Sequence, residues 1–222
     1  MIAVLRRFVQ YTEEHMEETE LWMLPYSTMM LTLVILFIMF YAYSASNSVE
    51  YETALSDLAS TNPNDPRVRQ MKQEIALAQN IRDFIAKNGL SDRIQLVMTP
   101  HAIKLKMESL ALFDSGKAEL KPDILFFLDH LFDQLKPMSN MVIAEGHTDN
   151  VPIHTQQYES NWELSAARAF SVIYFFIHKG LPPDRLVAHG LGEFRPAAPN
   201  DTEADRAKNR RIEITVVRGA NG

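Results

Sequence analysis

The chain is 222 residues long, room for one domain of ordinary size and a substantial further segment. Its formal net charge of −6 argues against nucleic-acid binding, which calls for a basic stripe. The absence of cysteine excludes disulfides, cysteine-held zinc and a lipidated thiol anchor, so the compartment has to be read from the rest of the chain.

The first segment, residues 1–22, places Ile2, Leu5, Phe8 and Val9 at helical spacing ahead of an acidic run through Glu13, Glu14, Glu17, Glu18 and Glu20. A short amphipathic helix touching a partner and a solvated leader helix both fit this pattern. Residues 23–43, MLPYSTMMLTLVILFIMFYAY, then pass without a charge. As a helix they span about 31 Å, one hydrocarbon core. Trp22 at one end and Tyr41 and Tyr43 at the other suit the two interfaces. A cleaved signal peptide with Ala42-Tyr43-Ser44 as its exit is the competing reading. The five glutamates and two arginines ahead of the span make a poor leader, so an uncleaved transmembrane helix is predicted. Arg6 and Arg7 precede it, and no Lys or Arg occurs from Ser44 to Pro66, which puts the N-terminus in the cytoplasm and the rest outside. Ser27, Thr28 and Thr32 share an early stretch of the span and can bond backbone or a neighbouring helix.

Residues 44–91 read as a linker. Val49, Leu55 and Leu58 mark a short amphipathic helix, stopped by the breaker Thr61-Asn62-Pro63-Asn64-Asp65-Pro66. A second helix is predicted from Arg67 to Asn88, with Val68, Met71, Ile75, Ala78, Ile81 and Ile85 as its stripe and Gly89 as its stop. That stripe is either a dimer seam or a face that docks on the following domain. It is too short for a coiled coil. From Asp92 the period changes to two. Ile94, Leu96 and Met98 form one predicted strand and Ile103, Leu105 and Met107 another, with Thr99-Pro100-His101 turning between them. Helices over 122–135 and 161–179 alternate with strands over 141–145 and 186–188, and a last strand covers 211–217. The order predicts an α+β domain over 92–218, a mixed sheet backed by helices, with a tail at 219–222.

The strand over 141–145 runs into Gly146-His147-Thr148-Asp149-Asn150, and the helix opening near Asn161 carries Arg168 on its second turn. A carboxylate at a strand end and a guanidinium on the next helix can face one small cleft. Such a pair suits a zwitterion, Asp149 taking an ammonium and Arg168 a carboxylate. Taken alone, the two residues read equally as a turn aspartate and a surface arginine. Three further stretches stand around them: Leu112-Phe113-Asp114-Ser115-Gly116-Lys117-Ala118-Glu119-Leu120-Lys121-Pro122, then His189-Gly190-Leu191-Gly192-Glu193-Phe194-Arg195-Pro196 with Pro199-Asn200-Asp201-Thr202, then Ala207-Lys208-Asn209-Arg210-Arg211-Ile212-Glu213-Ile214. In this order they closely resemble the OmpA-like peptidoglycan-binding domain, over residues 94–218. The resemblance implies a periplasmic, non-enzymatic domain without cofactor. It implies that Asp149 and Arg168 grip the diaminopimelate of the wall's stem peptide. Thr148 of the same motif, and Asn209 and Arg210 in the loop before the last strand, join them on the same ground.

Other chemistries fit less well. His147, Asp149 and His154 offer three metal ligands with no fourth in sight. Ser165 and His147 lack the turn of a nucleophile elbow, and no HExxH occurs. Gly190-Leu191-Gly192 lacks the lysine of a phosphate loop, and its glycines are assigned to tight turns. Trp162 is assigned to packing, although a tryptophan there can also line a sugar.

Trp22-Met23-Leu24-Pro25-Tyr26-Ser27-Thr28-Met29-Met30 resembles the start of the membrane helix in MotB-type motor stator subunits: Trp, three residues, an aromatic, a small residue, Asp, then two apolar residues. A single span, a linker helix and a C-terminal OmpA-like domain match the same architecture. The resemblance implies a homodimer inside a ring of a MotA-like multi-span partner, with the wall grip turning ion flow into torque. One position departs from it. The family's ion-carrying Asp is Thr28 here, and no Asp, Glu, His, Lys or Arg lies between Trp22 and Tyr43. A proton relay through hydrocarbon needs an ionisable group; a threonine hydroxyl does not supply one near neutral pH, though it can help coordinate sodium. The alternative to a stator subunit is therefore a non-conducting scaffold that tethers an envelope complex to the wall.

Overall fold

Alternation along the strands and helical stripes between them build the fold, seen in a computed structural model that describes residues 6–7, 23–46 and 66–219. The amphipathic run opening at Ile2, Trp22, the short helix over 49–58, the breaker over 61–65 and the tail beyond 219 lie outside the described residues. The chain divides into two units, Met1–Tyr51 and Glu52–Gly222.

In the first unit, Arg6 and Arg7 are helical and exposed. Helix α1, Met23–Ser46, is 24 residues long. Pro25 sits in its first turn, where a missing N–H costs nothing. The Thr28 hydroxyl donates to the Pro25 carbonyl at 3.0 Å, and Thr32 to Met29 at 2.8 Å. Both side chains thus bond inside their own helix. Among the described residues no helix is long and apolar enough to cross a membrane.

The second unit carries a five-stranded mixed sheet in the order β1-β2-β5-β3-β4. Its strands are β1 Ile94–Met98, β2 Ala102–Glu108, β3 Val142–His147, β4 Leu186–Gly190 and β5 Arg211–Val217. The first hairpin pairs Ile94 with Met107 and Met98 with Ile103. Strand β5 runs antiparallel to both β2 and β3, and β3 runs parallel to β4 in the register Gly146–Gly190. Because side chains alternate along a strand, Ile103, Leu105 and Met107 share one face with Val142, Ala144, Ile212, Ile214 and Val216, all buried. Three helices cover that face: α2 Pro66–Lys87, α4 Pro122–Leu135 and α5 Asn161–Lys179. Phe127, Leu131 and Leu135 from α4 and Val172, Ile173 and Phe176 from α5 enter the same core.

Helix α2 contributes Leu77, Ala78, Ile81 and Ile85 to this core. Of the two uses left open for its stripe, docking on its own sheet is the one seen. Its buried face also holds a carboxylate. Glu74, 3% exposed, accepts bonds from Arg218 Nε at 3.0 Å, Asn140 Nδ2 at 2.7 Å and Gln70 Nε2 at 3.2 Å. A buried carboxylate stripped of these partners destabilises a fold by about 3–5 kcal/mol, so this cluster pins α2 to the end of β5.

Helix α5 starts from a reciprocal cap. Ser160 Oγ accepts the Glu163 N–H at 3.3 Å and Glu163 Oε2 accepts the Glu159 N–H at 2.8 Å. It ends at Gly180 with φ 105°. Between these ends it lies hard against β3 and β4. A Cβ on Gly190 would stand 2.6 Å from the Ala166 backbone nitrogen, and one on Gly146 2.1 Å from the Ser165 carbonyl oxygen. Close helix–sheet approach, and not the tight turn first assigned to it, is therefore what requires glycine at 190. Gly192, with φ 52°, is the one that turns the chain.

Two short helices were not predicted: α3, Ser109–Leu112, and α6, Glu203–Asn209. The first is a single turn and the second has no apolar stripe, so neither has a period to read. Asn209 consequently closes a helix instead of sitting in a loop.

A candidate ligand-binding cleft

Strand β3 ends at His147, and Thr148 and Asp149 continue it beside the first turns of α5. The Thr148 N–H donates to the Gly192 carbonyl at 2.9 Å, and Asn161 Nδ2 donates to the carbonyls of Val151 at 2.9 Å and Asp149 at 3.3 Å. These bonds hold the strand end, the helix start and the turn after β4 together. Between them and α3 and α6 lies a cleft of about 420 Å³, lined by Thr148, Asp149, Arg168 and Arg210 among the predicted residues, and by Ser109, Leu110, Val151, Asn161 and Glu203.

Asp149 is 6% exposed. Its Oδ1 accepts the Val151 N–H at 3.2 Å, closing an Asx turn, and its Oδ2 accepts Arg210 Nη1 at 2.6 Å. The other arm of Arg210, Nη2, reaches Glu203 Oε1 at 2.6 Å. Burial disfavours the Arg210 charge, but the bonds to Asp149 and Glu203 outweigh it and raise its pKa. The bonds from Arg210 and then Arg206 lower the pKa of Glu203.

Arg168 is held differently. Its Nε donates to the Lys117 carbonyl at 2.8 Å and Nη2 to the Asp114 carbonyl at 3.3 Å, and the guanidinium lies 5.3 Å from the centre of the Phe113 ring. Among the described residues no carboxylate pairs with it. Burial holds its pKa down to about 10, with Tyr158 opposing, so it stays charged at neutral pH. Two acids and two guanidiniums leave the cleft neutral overall, but only half of that balance is made by contact. Two buried hydroxyls of the wall, Ser109 Oγ and Thr148 Oγ1, have no hydrogen-bond partner.

Asn209 is not part of the cleft wall. It is fully buried, its Oδ1 accepting the Ala197 and Ala198 N–H groups at 2.7 and 3.0 Å and its Nδ2 donating to the Ala198 carbonyl and to Asn200 Oδ1 at 2.9 and 2.8 Å. No polar atom is left for a ligand. Its place among the binding residues is corrected to that of a strut holding the 197–200 turn against α6.

Among the described residues no three His, Cys, Asp or Glu cluster as metal ligands. His147 is buried, and burial followed by Arg211 holds its pKa down to about 4, so it is neutral at physiological pH. Ser165 is fully buried, donates to the Trp162 carbonyl at 2.9 Å and accepts the Gly192 N–H at 3.0 Å, which is a structural position and not a nucleophile's. Trp162, assigned to packing with a sugar contact as its other use, packs with one partner and keeps much of its surface open. It is 49% exposed and stacks on Phe194, itself 64% exposed, with ring centroids 5.2 Å apart.

Sequence reasoning missed Glu203, Asn161 and Ser109. A signal existed for the first: Thr202 followed three residues later by Asp205 is a helix-start signature, and the Thr202 hydroxyl does accept the Asp205 N–H at 3.1 Å. That start places Glu203 on the first turn, facing Arg210.

Residues 112–210 match the OmpA family, and residues 7–61 match the family described as membrane MotB of the proton-channel complex MotA/MotB. The chain is 27% identical to motility protein B of Bacillus subtilis (strain 168), over 95% of either sequence. It is similar to the crystal structure of a putative MotB-like protein from Desulfovibrio vulgaris, with a TM-score of 0.62 and 31% identity over 68% of this chain and 98% of that one. It is also similar to the cell wall anchor of the T6SS from Pseudomonas aeruginosa, with a TM-score of 0.58 and 31% identity over 62% of this chain and 96% of that one.

Proposed function

The chain belongs to the MotB-type family and carries a C-terminal OmpA-like domain, and on that premise we propose that it is the wall-anchoring subunit of an ion-driven stator of the flagellar-motor type. Its ligand is the diaminopimelate-containing stem peptide of peptidoglycan. The observation that carries this reading is the half-made charge balance of the cleft. An amino acid centre brings an ammonium and a carboxylate on one carbon. The ammonium goes to Asp149, sharing that carboxylate with Arg210, which keeps Glu203. The carboxylate goes to the N–H groups of Arg168 that its bonds to the Lys117 and Asp114 carbonyls leave over. Leu110 and Val151, each 53% exposed on the rim, suit the methylene stem between the two ends of the ligand.

Helix α1 serves as the membrane span, with the N-terminus in the cytoplasm and the sheet in the periplasm. Its 24 residues without an acidic or basic side chain rise about 36 Å, and Arg6 and Arg7 mark the cytoplasmic side. Two copies would sit within a MotA-like multi-span partner. Retention on purified sacculi tests the grip: Asp149→Ala should lose it, and undiminished retention would remove the site from consideration.

A second reading is favoured by Thr28. Its hydroxyl is bonded to the Pro25 carbonyl and carries no ionisable proton, and the fold is also similar to a secretion-system wall anchor. In that reading the chain is a non-conducting scaffold with the same wall grip. Purification from native membranes separates the two: a stoichiometric multi-span partner makes a stator, recovery alone or with unrelated envelope proteins makes a scaffold.

A further inference from the structure

Beside the cleft stands a feature that the peptide grip does not use. Trp162 and Phe194 come from different elements, the first turn of α5 and the turn after β4, and both keep about half or more of their surface in water. A single exposed aromatic residue is unremarkable, but two that cover one face of each other and still leave about half or more of their surface in water make an apolar patch with an open outer ring face, which a fold normally covers. The pair is also held in place. Gly192 turns the chain under it with φ 52°, and a Cβ there would already stand 3.6 Å from the indole and 3.7 Å from the Phe194 ring.

The platform is continuous with the cleft. Gly192 is bonded through its carbonyl to the Thr148 N–H and through its N–H to Ser165 Oγ. The same turn is thus fastened to the strand end carrying Asp149 and to the helix carrying Arg168. Asn161, in the cleft wall, precedes Trp162 in sequence and donates to Glu193 Oε2 at 3.3 Å, the residue before Phe194. An uncharged aromatic plane with an amide and a carboxylate at its edge is how proteins receive a sugar: the C–H face of a pyranose lies on the ring while the edge groups meet hydroxyls and acetamides.

We infer that Trp162 and Phe194 form a sugar-stacking platform that seats a pyranose of the wall's glycan strand next to the peptide cleft. The inference rests on the peptide-binding reading of the cleft, because a stem peptide held there is covalently joined to a glycan sugar and brings it close. The site then reads two parts of one polymer, the charged peptide centre by ion pairing and the sugar by stacking.

The test uses the full-length chain in detergent and isothermal titration with two soluble ligands: the free diaminopimelate-containing stem peptide and the same peptide on its disaccharide. The disaccharide form should bind about threefold to tenfold tighter. Trp162→Ala and Phe194→Ala should each erase most of that gain while leaving the free peptide's affinity unchanged, and Trp162→Tyr should keep most of it. In a Trp22→Phe background Trp162 is the only indole of the chain, so its emission should shift with the disaccharide form and not with the peptide alone. Equal affinity for the two ligands, or a gain that survives Trp162→Ala, overturns the platform. So does a Trp162→Ala change in oligomeric state with the gain intact, which would make the pair a contact between copies of the chain. A free peptide that fails to bind, with Asp149→Ala indifferent to either ligand, is a different pattern and defeats the cleft reading itself.

Discussion

The cleft and the opposite face of the sheet both hold acids and bases withdrawn from water, yet they are connected in different ways. On the sheet, Glu213 accepts Lys104 Nζ and Arg211 Nε at 2.7 Å each, Glu145 lies 3.6 Å from the same lysine, and Arg211 Nη2 donates to the Arg195 carbonyl at 3.2 Å. Each charge meets its opposite on a neighbouring strand or residue. In the cleft, Asp149 meets Arg210, but Arg168 meets main-chain carbonyls and the Phe113 ring and, among the described residues, no acid, and the space between them is open. The ionic strip is complete without a ligand and the cleft is not. A buried charge signals function when its counterpart is missing and there is room for one, and signals structure when the counterpart is already a side chain.

Arg168→Ala should break the comparison most severely. It removes the charge that no acid pairs with among the described residues, so sacculus retention should fall by about 30-fold or more, equivalent to roughly 2–5 kcal/mol. Arg168→Lys should fail nearly as badly, because an ammonium cannot keep both carbonyl bonds and still present a planar fork. Full retention by the lysine variant would show that charge alone suffices.

The strip should reveal itself in acid unfolding and leave wall binding alone. Burial alone would raise the pKa of Glu213, but the bonds from Lys104 and Arg211 hold it down to about 2. Its stabilisation is present above the ordinary carboxyl range and is lost as pH falls from about 4.5 toward 2, on the order of 3 kcal/mol. His147 acts in a different window. Held down to about 4, it lets the unfolded chain take up a proton first, so stability is lost as pH falls from 6.5 to 4. Glu213→Gln should flatten the lower part of the pH–stability curve and His147→Gln the upper part. Denaturant titrations at several pH values check both, and a shared window for the two variants would contradict the assignment.

A smaller effect is expected at Glu203, which is exposed and holds Arg206 as well as the outer arm of Arg210. Releasing that arm in Glu203→Ala lets Arg210 compete harder for Asp149, so ligand affinity should drop about two- to fivefold. A gain in affinity would reverse the role given to Arg210. The smallest effect belongs to a surface pair. Lys179 lies 2.5 Å from Asp129, each with more than two-fifths of its side chain exposed, and Lys179→Ala should cost under about 1 kcal/mol in thermal unfolding.

Legibility from sequence followed periodicity. The α4 and α5 ranges matched the predicted spans because each carries a long apolar stripe, α4 opening on Pro122 and α5 running from the Ser160 cap to Gly180. Asp149 and Arg168 were reachable because a motif marks each. Asn209 sits in an equally clear motif, yet a motif does not say whether an amide faces ligand or backbone, and only the four bonds it makes decide that. The exposure of Trp162 was not legible, because tryptophan is usually covered and its neighbours come from a turn some thirty residues away. Leu77, absent from the stripe read on α2, is 2% exposed because the helix is rotated to bring Glu74 inward as well.

That inward carboxylate gives the fold a mechanical character. Tension arriving at the Pro66 end of α2 meets the Glu74–Arg218–Asn140 cluster about two turns in, before it reaches the apolar seam. The cluster passes the pull to the end of β5, the middle strand, which is bonded on both sides. The pull then enters the sheet at its middle strand, and the helix is spared from peeling away turn by turn. Rupture force measured between residue 66 and the cleft should fall steeply in Glu74→Gln, and an unchanged force would place the resistance elsewhere. If the chain anchors to the wall as proposed, it is pulled between its N-terminal side and the cleft, and such a clamp resists that pull where it comes in.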